Sequence, residues 1–328
     1  MKSSVVEEER AAIEALIGKF KSAEIIQLLW KGFGAIYRVQ KEDGSTVILK
    51  HFNFAHETEP EDDPMPNETR FLSFKREISF YEELANLSLS AKVPRYIASK
   101  DIKSGKVMAM EDLDPIGFPA RFKNRCNLSF ERVIPMVKWL ANFHADFWRC
   151  EKAEKLMWKE ATYWNIEKRR DEFERCKEKE LDLIKLGEKI DRIIHEAKHK
   201  TLIHGDGKVE NFCFSEDGMD VAGIDFQWSG MGVGTTDLYY LLTSCYEEFS
   251  RYDEIVDEYF KFFRKAMEGK PEVDEIEREW RWLWPFIVAD FERFLITWNP
   301  THWKRNEYSA QQSKIAVEMI RNSSNNLS

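Results

Sequence analysis

Between Thr201 and Asp225 the chain reads TLIHGDGKVENFCFSEDGMDVAGID, and no other stretch restricts the fold so tightly. A short apolar strand, Thr201 to Ile203, runs into His204-Gly205-Asp206. Asn211 stands five residues after Asp206. The run Phe212 to Phe214, a turn at Glu216-Asp217-Gly218 and a second strand, Val221 to Ile224, then deliver Asp225. An Asp-Gly step between two short apolar runs predicts a tight hairpin. Its strand ends present a carboxylate, a carboxamide and a second carboxylate. Phosphoryl transfer requires such a set. One carboxylate orients an attacking hydroxyl or takes its proton. A second carboxylate and an amide oxygen hold Mg²⁺ against nucleotide phosphates. The plain alternative, a polar surface hairpin, has no need of this spacing.

Asp206, Lys208 and Asn211 keep the spacing of the protein-kinase catalytic loop, and Asp225-Phe226-Gln227 stands where its Asp-Phe-Gly would fall. His204-Gly205-Asp206 replaces His-Arg-Asp, and Asp237-Leu238 follows closely. In these features the chain resembles the small-molecule kinases: aminoglycoside phosphotransferases, choline kinases and, most closely, the ecdysteroid-kinase-like (CHK kinase-like) family. The matching residues are His204-Gly205-Asp206, Asn211, Ile224-Asp225-Phe226-Gln227, Gly234 and Asp237-Leu238-Tyr239-Tyr240-Leu241-Leu242. The resemblance runs from Gly32 to Leu242, and the C-terminal helices fit it less specifically. It implies an α+β, two-lobed protein-kinase-like fold. A small N-terminal lobe, residues 1–113, has an antiparallel sheet plus a helix and binds nucleotide. A larger, mainly helical C-terminal lobe, residues 114–328, carries the catalytic loop and the substrate-binding helices. The implied cofactors are ATP and Mg²⁺, and the implied partner is a small hydroxylated molecule.

The same resemblance assigns roles. Ile25 to Trp30, Lys31 to Val39 and Thr46 to Lys50 read as three strands, with a turn at Asp43-Gly44. Gly32, Phe33 and Gly34 take the place of a phosphate-covering loop, and Lys50 that of the phosphate-binding lysine. A full G-x-G-x-x-G is missing, so the loop alone suits an ordinary hairpin equally well. Phe71, Phe74, Ile78 and Tyr81 make one stripe of a helix over Arg70 to Leu87. Glu77-Ile78-Ser79-Phe80-Tyr81 is similar to the family's E-x-x-F-Y, which implies that Glu77 holds Lys50. Arg95 to Ile102 and Lys106 to Met110 read as strands, and Met110, Glu111 and Leu113 fall where the adenine edge is bound. Methionine at strand spacing also suits plain core. Asn211 and Asp225 would ligate the metal, and Asp206 would act on the acceptor hydroxyl. Lys208 matches the γ-phosphate contact of protein kinases; it and Gly207 depart from the usual family residues, which leaves the role of Lys208 open. His144 reads as a packed helix residue and Asp237 as a structural one.

A chain of 328 residues suits two lobes, each burying a core. The net charge of −9 disfavours non-specific nucleic-acid binding and slightly favours cationic or neutral acceptors. Five scattered cysteines without a C-x-x-C pair point to a reducing, cytoplasmic setting. No apolar run approaches the about 18 residues of a membrane span. Two other readings need weighing. His195-Glu196-x-x-His199 matches the zinc-protease signature, although Leu202 and Gly205 stand where its longer form needs Gly and His. A catalytically inactive kinase-like nucleotide binder would lose one of Lys50, Glu77, Asp206, Asn211 or Asp225, and all five are present. A helix is expected over residues 4–18, a helical insertion over 151–200, a loop over 53–69, and four helices after Gly234. Trp280, Trp282, Trp284, Trp298 and Trp303, with Asp290 and Glu292, can cage an ammonium, wall a sterol-like alcohol, or simply fill the core.

Overall fold

A computed structural model describes residues 5–29, 32–55, 65–179 and 181–325. Two short helices, α1 (Val5–Glu8) and α2 (Arg10–Ile17), lead into β1 (Phe20–Leu28), β2 (Gly34–Lys41) and β3 (Thr46–Asn53). Helix α3 (Asn67–Glu83) follows, then β4 (Tyr96–Ile102) and β5 (Gly105–Glu111). The five strands form one antiparallel sheet in the order β1-β2-β3-β5-β4. Alternation sorts its side chains. Tyr37, Val39, Leu49, Val107 and Ala109 pack with Ile13 and Ile17 of α2. Register places Lys50 opposite Met108 and Ile48 opposite Met110, on the face where Phe52 and Met108 pack with Phe74 and Ile78 of α3.

The rest of the chain is largely helical. Strand β6 (Ala120–Arg121) precedes α4 (Phe130–Asp146), α5 (Glu151–Leu156), α6 (Arg170–Glu174), α7 (Asp182–Lys185) and α8 (Gly187–His195). Then come β7 (Thr201–Ile203), β8 (Phe212–Phe214), β9 (Val221–Gly223) and β10 (Gly230–Gly232). Helices α9 (Thr235–Cys245), α10 (Tyr252–Ala266), α11 (Val273–Trp298) and α12 (Glu307–Asn325) complete the chain. The outline is therefore the α+β, two-lobed one expected, and the four closing helices are all present.

Four local expectations change. The N-terminal helix is interrupted at Glu9 between α1 and α2, and the proposed cap Ser4 lies outside the described residues, as do Trp30, Lys31 and most of the acidic loop, 56–64. Residues 151–200 are not one helical insertion. They fold as short helices and loops because their backbone bonds to other segments: Ala161 N–H to the Met231 carbonyl at 3.1 Å and Thr162 N–H to the Trp228 carbonyl at 3.2 Å. Strand β7 does not share a ribbon with the hairpin. It pairs with β10, while β8 and β9 form a three-stranded sheet with β6. Finally, the sheet keeps its own apolar cluster on the α2 face only, and its other face shares a core with the helical part. One apolar cluster continues from Phe52 and Phe74 through Phe80 into Phe143, Phe226 and the C-terminal helices.

Candidate active site

Asp206 and Asn211 lie on the loop between β7 and β8, and the last residues of that loop, Val209–Asn211, form a single 3₁₀ turn. Asp237 at the start of α9 anchors it. Its two carboxylate oxygens accept the backbone N–H groups of His204, at 2.6 Å, and Gly205, at 2.9 Å. His144 and Tyr259 extend this buried network: His144 Nε2 is 3.1 Å from Asp237 Oδ2, and Nδ1 is 2.8 Å from the Tyr259 hydroxyl. His144 is thus a packed helix residue and Asp237 a structural one, as expected. Gly205 has φ +77°, and a Cβ there would sit 2.1 Å from the Trp228 carbonyl oxygen. That contact accounts for a glycine where protein kinases carry arginine.

The Asn211 carboxamide donates to the Asp206 carbonyl, at 2.7 Å, and to Asp206 Oδ2, at 3.1 Å. Lys208 Nζ donates to the same Oδ2 at 3.0 Å. Asp206 Oδ1 is buried and has no hydrogen-bond partner among the described residues. Burial alone would lower the Lys208 pKa, but Asp206 and other nearby anions outweigh it and hold the ammonium charged.

The hairpin β8–β9 brings Asp225 beside this loop, and the Ile224 N–H bonds the Asn211 carbonyl at 2.9 Å. Asp225 has φ +69°, a left-handed conformation that non-glycine residues seldom adopt. Lys50 Nζ donates to both Glu77 oxygens at 2.7 Å and to Asp225 Oδ1 at 3.3 Å. Burial works against the Lys50 charge, yet Asp225 and Glu77 outweigh it and raise the pKa. Burial likewise opposes the Asp225 charge, but Lys50, Lys208 and His204 overcome it and lower the pKa. Phe226, the next residue, turns inward and stacks on Phe80 of α3 at a centroid separation of 3.8 Å.

Two cavities meet at these charged groups. One, of about 590 Å³, is lined by Lys50, Glu77, Met110, Glu111, Leu113, Lys208, Asn211 and Asp225. The other, of about 730 Å³, shares Lys50, Lys208 and Asp225, and adds Asp206. Eight of the sequence-derived site residues therefore line the first cavity. Gly32, Phe33 and Gly34 line neither; the roof is made by Gln27, Leu29 and Ile36 instead. Phe33 is buried against Phe71 and Phe74. Gly34 opens β2, so close to β3 that a Cβ would lie 1.9 Å from the His51 carbonyl oxygen. The Glu111 carboxylate is engaged outward by Lys92 at 2.9 Å.

The second cavity holds residues to which sequence alone assigned no role in the site: Tyr163, Arg169, Trp228, Tyr240, Phe291 and Lys304. They come from five separate segments and share no spacing. Of the tryptophans considered, Trp298 and Trp303 line this cavity. Trp280 and Trp284 are core, and Trp282 is exposed. Asp290 and Glu292 are turned away, onto Arg293 and onto Arg305 with Ser309. An ammonium cage of tryptophans with those two carboxylates is therefore not formed.

His195 and His199 do not share a helix face. His195 ends α8 and faces Asp191 at 3.1 Å, whereas His199 lies beyond the helix and meets Glu279 at 2.7 Å. No cluster of three or more His, Cys, Asp or Glu suited to a metal occurs among the described residues.

No curated protein matches the sequence significantly. Among solved structures, the chain is similar to the amicoumacin kinase hAmiN in complex with AMP-PNP, Ca²⁺ and Ami, at 13% identity and TM-score 0.52, covering 97% of this chain and 93% of that one. It is also similar to aminoglycoside 2'-phosphotransferase-IIIa in its GDP complex, at 12% identity and TM-score 0.51, covering 96% and 99%. A third is a Plasmodium vivax ethanolamine kinase, at 12% identity and TM-score 0.50, covering 95% and 85%. At these identities the likeness establishes the fold. A family model described as the phosphotransferase enzyme family matches residues 25–276, well over half of the chain. With that match, and with the kinase-like fold around Lys50, Asp206 and Asp225, the chain belongs to the phosphotransferase enzyme family.

Proposed function

We propose that this phosphotransferase moves the γ-phosphate of ATP, bound with Mg²⁺, to a hydroxyl of a small molecule. The observation that carries the reading is the unpartnered Oδ1 of Asp206, on the wall of one cavity that also contains Lys50, Lys208 and Asp225. The adjoining cavity takes the nucleotide, and the larger one takes the acceptor. Asn211 and Asp225 offer hard oxygen donors at the nucleotide cavity. A partial donor set suits Mg²⁺, which completes its shell with water and phosphate oxygens. Bound there, the ion would neutralise charge between the β- and γ-phosphates.

The chain's own residues supply positioning. Glu77 fixes Lys50 by two 2.7 Å bonds, aiming its ammonium at the α- and β-phosphates. Asp206 Oδ1 accepts the acceptor's O–H and orients the oxygen for in-line attack, taking its proton as the new bond forms. Lys208 donates to the other oxygen at 3.0 Å, fixing the orientation of the carboxylate, and stands next to the transferring group. The lobe boundary is placed at 113/114, where β5 gives way to the connecting segment. The ecdysteroid-kinase-like subfamily and a cytoplasmic location, with five free cysteines, are the finer parts of this proposal. No helix among the described residues is long and apolar enough to cross a membrane.

The test is direct. Purified protein is incubated with Mg·ATP and a panel of hydroxylated metabolites, and products are read by mass spectrometry. A phosphorylated alcohol that forms with ADP supports the proposal. No phosphorylated product from any panel member overturns it.

A further inference from the structure

The acceptor cavity contains a cation that phosphoryl transfer does not use. Lys304 lies between α11 and α12 and is only 6% exposed. Its Nζ sits 3.9 Å from the centroid of the Tyr240 ring, and 5.6 Å from those of Phe291 and Trp303. No hydrogen bond or ion pair to Nζ occurs among the described residues. The other lysines and arginines at this wall are engaged: Lys50 with Glu77 at 2.7 Å, Arg70 with the Met65 carbonyl at 3.1 Å, Arg169 with Glu172 at 3.1 Å, and Lys208 with Asp206 at 3.0 Å. A lysine this buried nearly always has a counter-ion. The face of Tyr240 offsets the burial only in part.

The remaining wall explains what is missing. Among the described residues its only carboxylates are Asp206 and Asp225, both committed to the hydroxyl and the metal. The rings nearest the Lys304 ammonium are Tyr240, Phe291 and Trp303, and Tyr163, Trp228 and Trp298 line the same cavity. Burial, and then Lys208, push the Lys304 pKa down to about 7, against the opposing pull of Asp206, Cys245 and Glu210. An anion brought into the cavity removes that penalty. An ammonium brought there meets Lys304 and finds no further carboxylate among the described residues.

We propose that Lys304 recognises an anionic oxygen group, a carboxylate, on the acceptor, so that the substrates are hydroxy acids with a flat or apolar body rather than amino alcohols. This rests on the small-molecule phosphotransfer reading and reverses the preference that net charge alone suggests. The hydroxyl meets Asp206 Oδ1, the carboxylate meets Lys304, and the apolar body lies between the aromatic walls. The nucleotide's terminal phosphate is the other anion within the site, and the experiment separates the two.

Acceptor pairs that differ only by a carboxylate or its primary amide are compared by kcat/KM in wild type, Lys304→Met and Lys304→Arg. Wild type is expected to prefer the acid by about 10- to 100-fold, the scale of one hydrogen bond between charged groups. Lys304→Met should bring acid and amide to near equality, and Lys304→Arg should keep the preference. Mg·ATP affinity, measured by calorimetry on the same proteins, should be unchanged, which also shows that the variants are folded. Weaker Mg·ATP binding in Lys304→Met would assign the lysine to the phosphate and overturn the proposal. Equal use of acid and amide by wild type overturns it while leaving the phosphotransfer reading intact. No product from acids, amides or neutral alcohols overturns both.

Discussion

Asp206 has one carboxylate oxygen bonded twice and one bonded to nothing among the described residues. Leaving a buried acceptor open costs about 1–3 kcal/mol, so the position is set for a ligand donor. The variant Asp206→Asn keeps the side-chain shape but has no basicity. Its turnover is expected to fall roughly 10²- to 10⁴-fold, the range for losing a positioned base. An unaltered rate in a steady-state assay would remove Asp206 from the chemistry. That Asp206, Asn211 and Asp225 come together was legible from sequence because short, fixed spacings join them. Lys304 was not, because a lysine acquires meaning here only through the Tyr240 ring beneath it.

At the scale of elements, α3 joins the nucleotide side to the catalytic loop. Its Glu77 holds Lys50, and its Phe80 stacks on Phe226, next to Asp225, and packs within 6.2 Å of Phe143 and Phe147 of the α4 region. Truncating a buried phenylalanine costs about 3–5 kcal/mol. Phe80→Ala is expected to lower stability on that scale in urea denaturation and to weaken Mg·ATP binding, because Phe226 no longer seats Asp225. Loss of stability with unchanged nucleotide affinity would show that the stack is only packing. The helix itself was readable from the stripe Phe71, Phe74, Ile78 and Tyr81. Residues 151–200 were not, since a charged run free of proline looks helical. Backbone bonds from Ala161 and Thr162 to the segment after Asp225 override that local preference. The pairing of β7 with β10 was hidden for a similar reason: partners 27 residues apart, such as Ile203 and Gly230, leave no local signal.

For the molecule as a whole, the cleft lies between the sheet and the helical part, yet one apolar cluster spans both. Ligand bound across the cleft therefore stabilises both parts together. At about 100 times its Kd, a ligand adds about 2.7 kcal/mol to stability. Saturating Mg·ATP should raise the melting temperature of wild type measurably, and Asp225→Ala should abolish the rise. A variant that keeps the full shift would take Asp225 out of metal and nucleotide binding. The two-lobed outline was foreseeable from the motif, whereas the wall of the second cavity was not, because Tyr163, Trp228, Tyr240, Phe291 and Lys304 meet only after the chain has folded.

Gly205 has a consequence for control. Any side chain at that position collides with the Trp228 carbonyl, so the arginine with which protein kinases read a phosphorylated loop has no room here. Covalent signalling cannot use that route to turn this enzyme on.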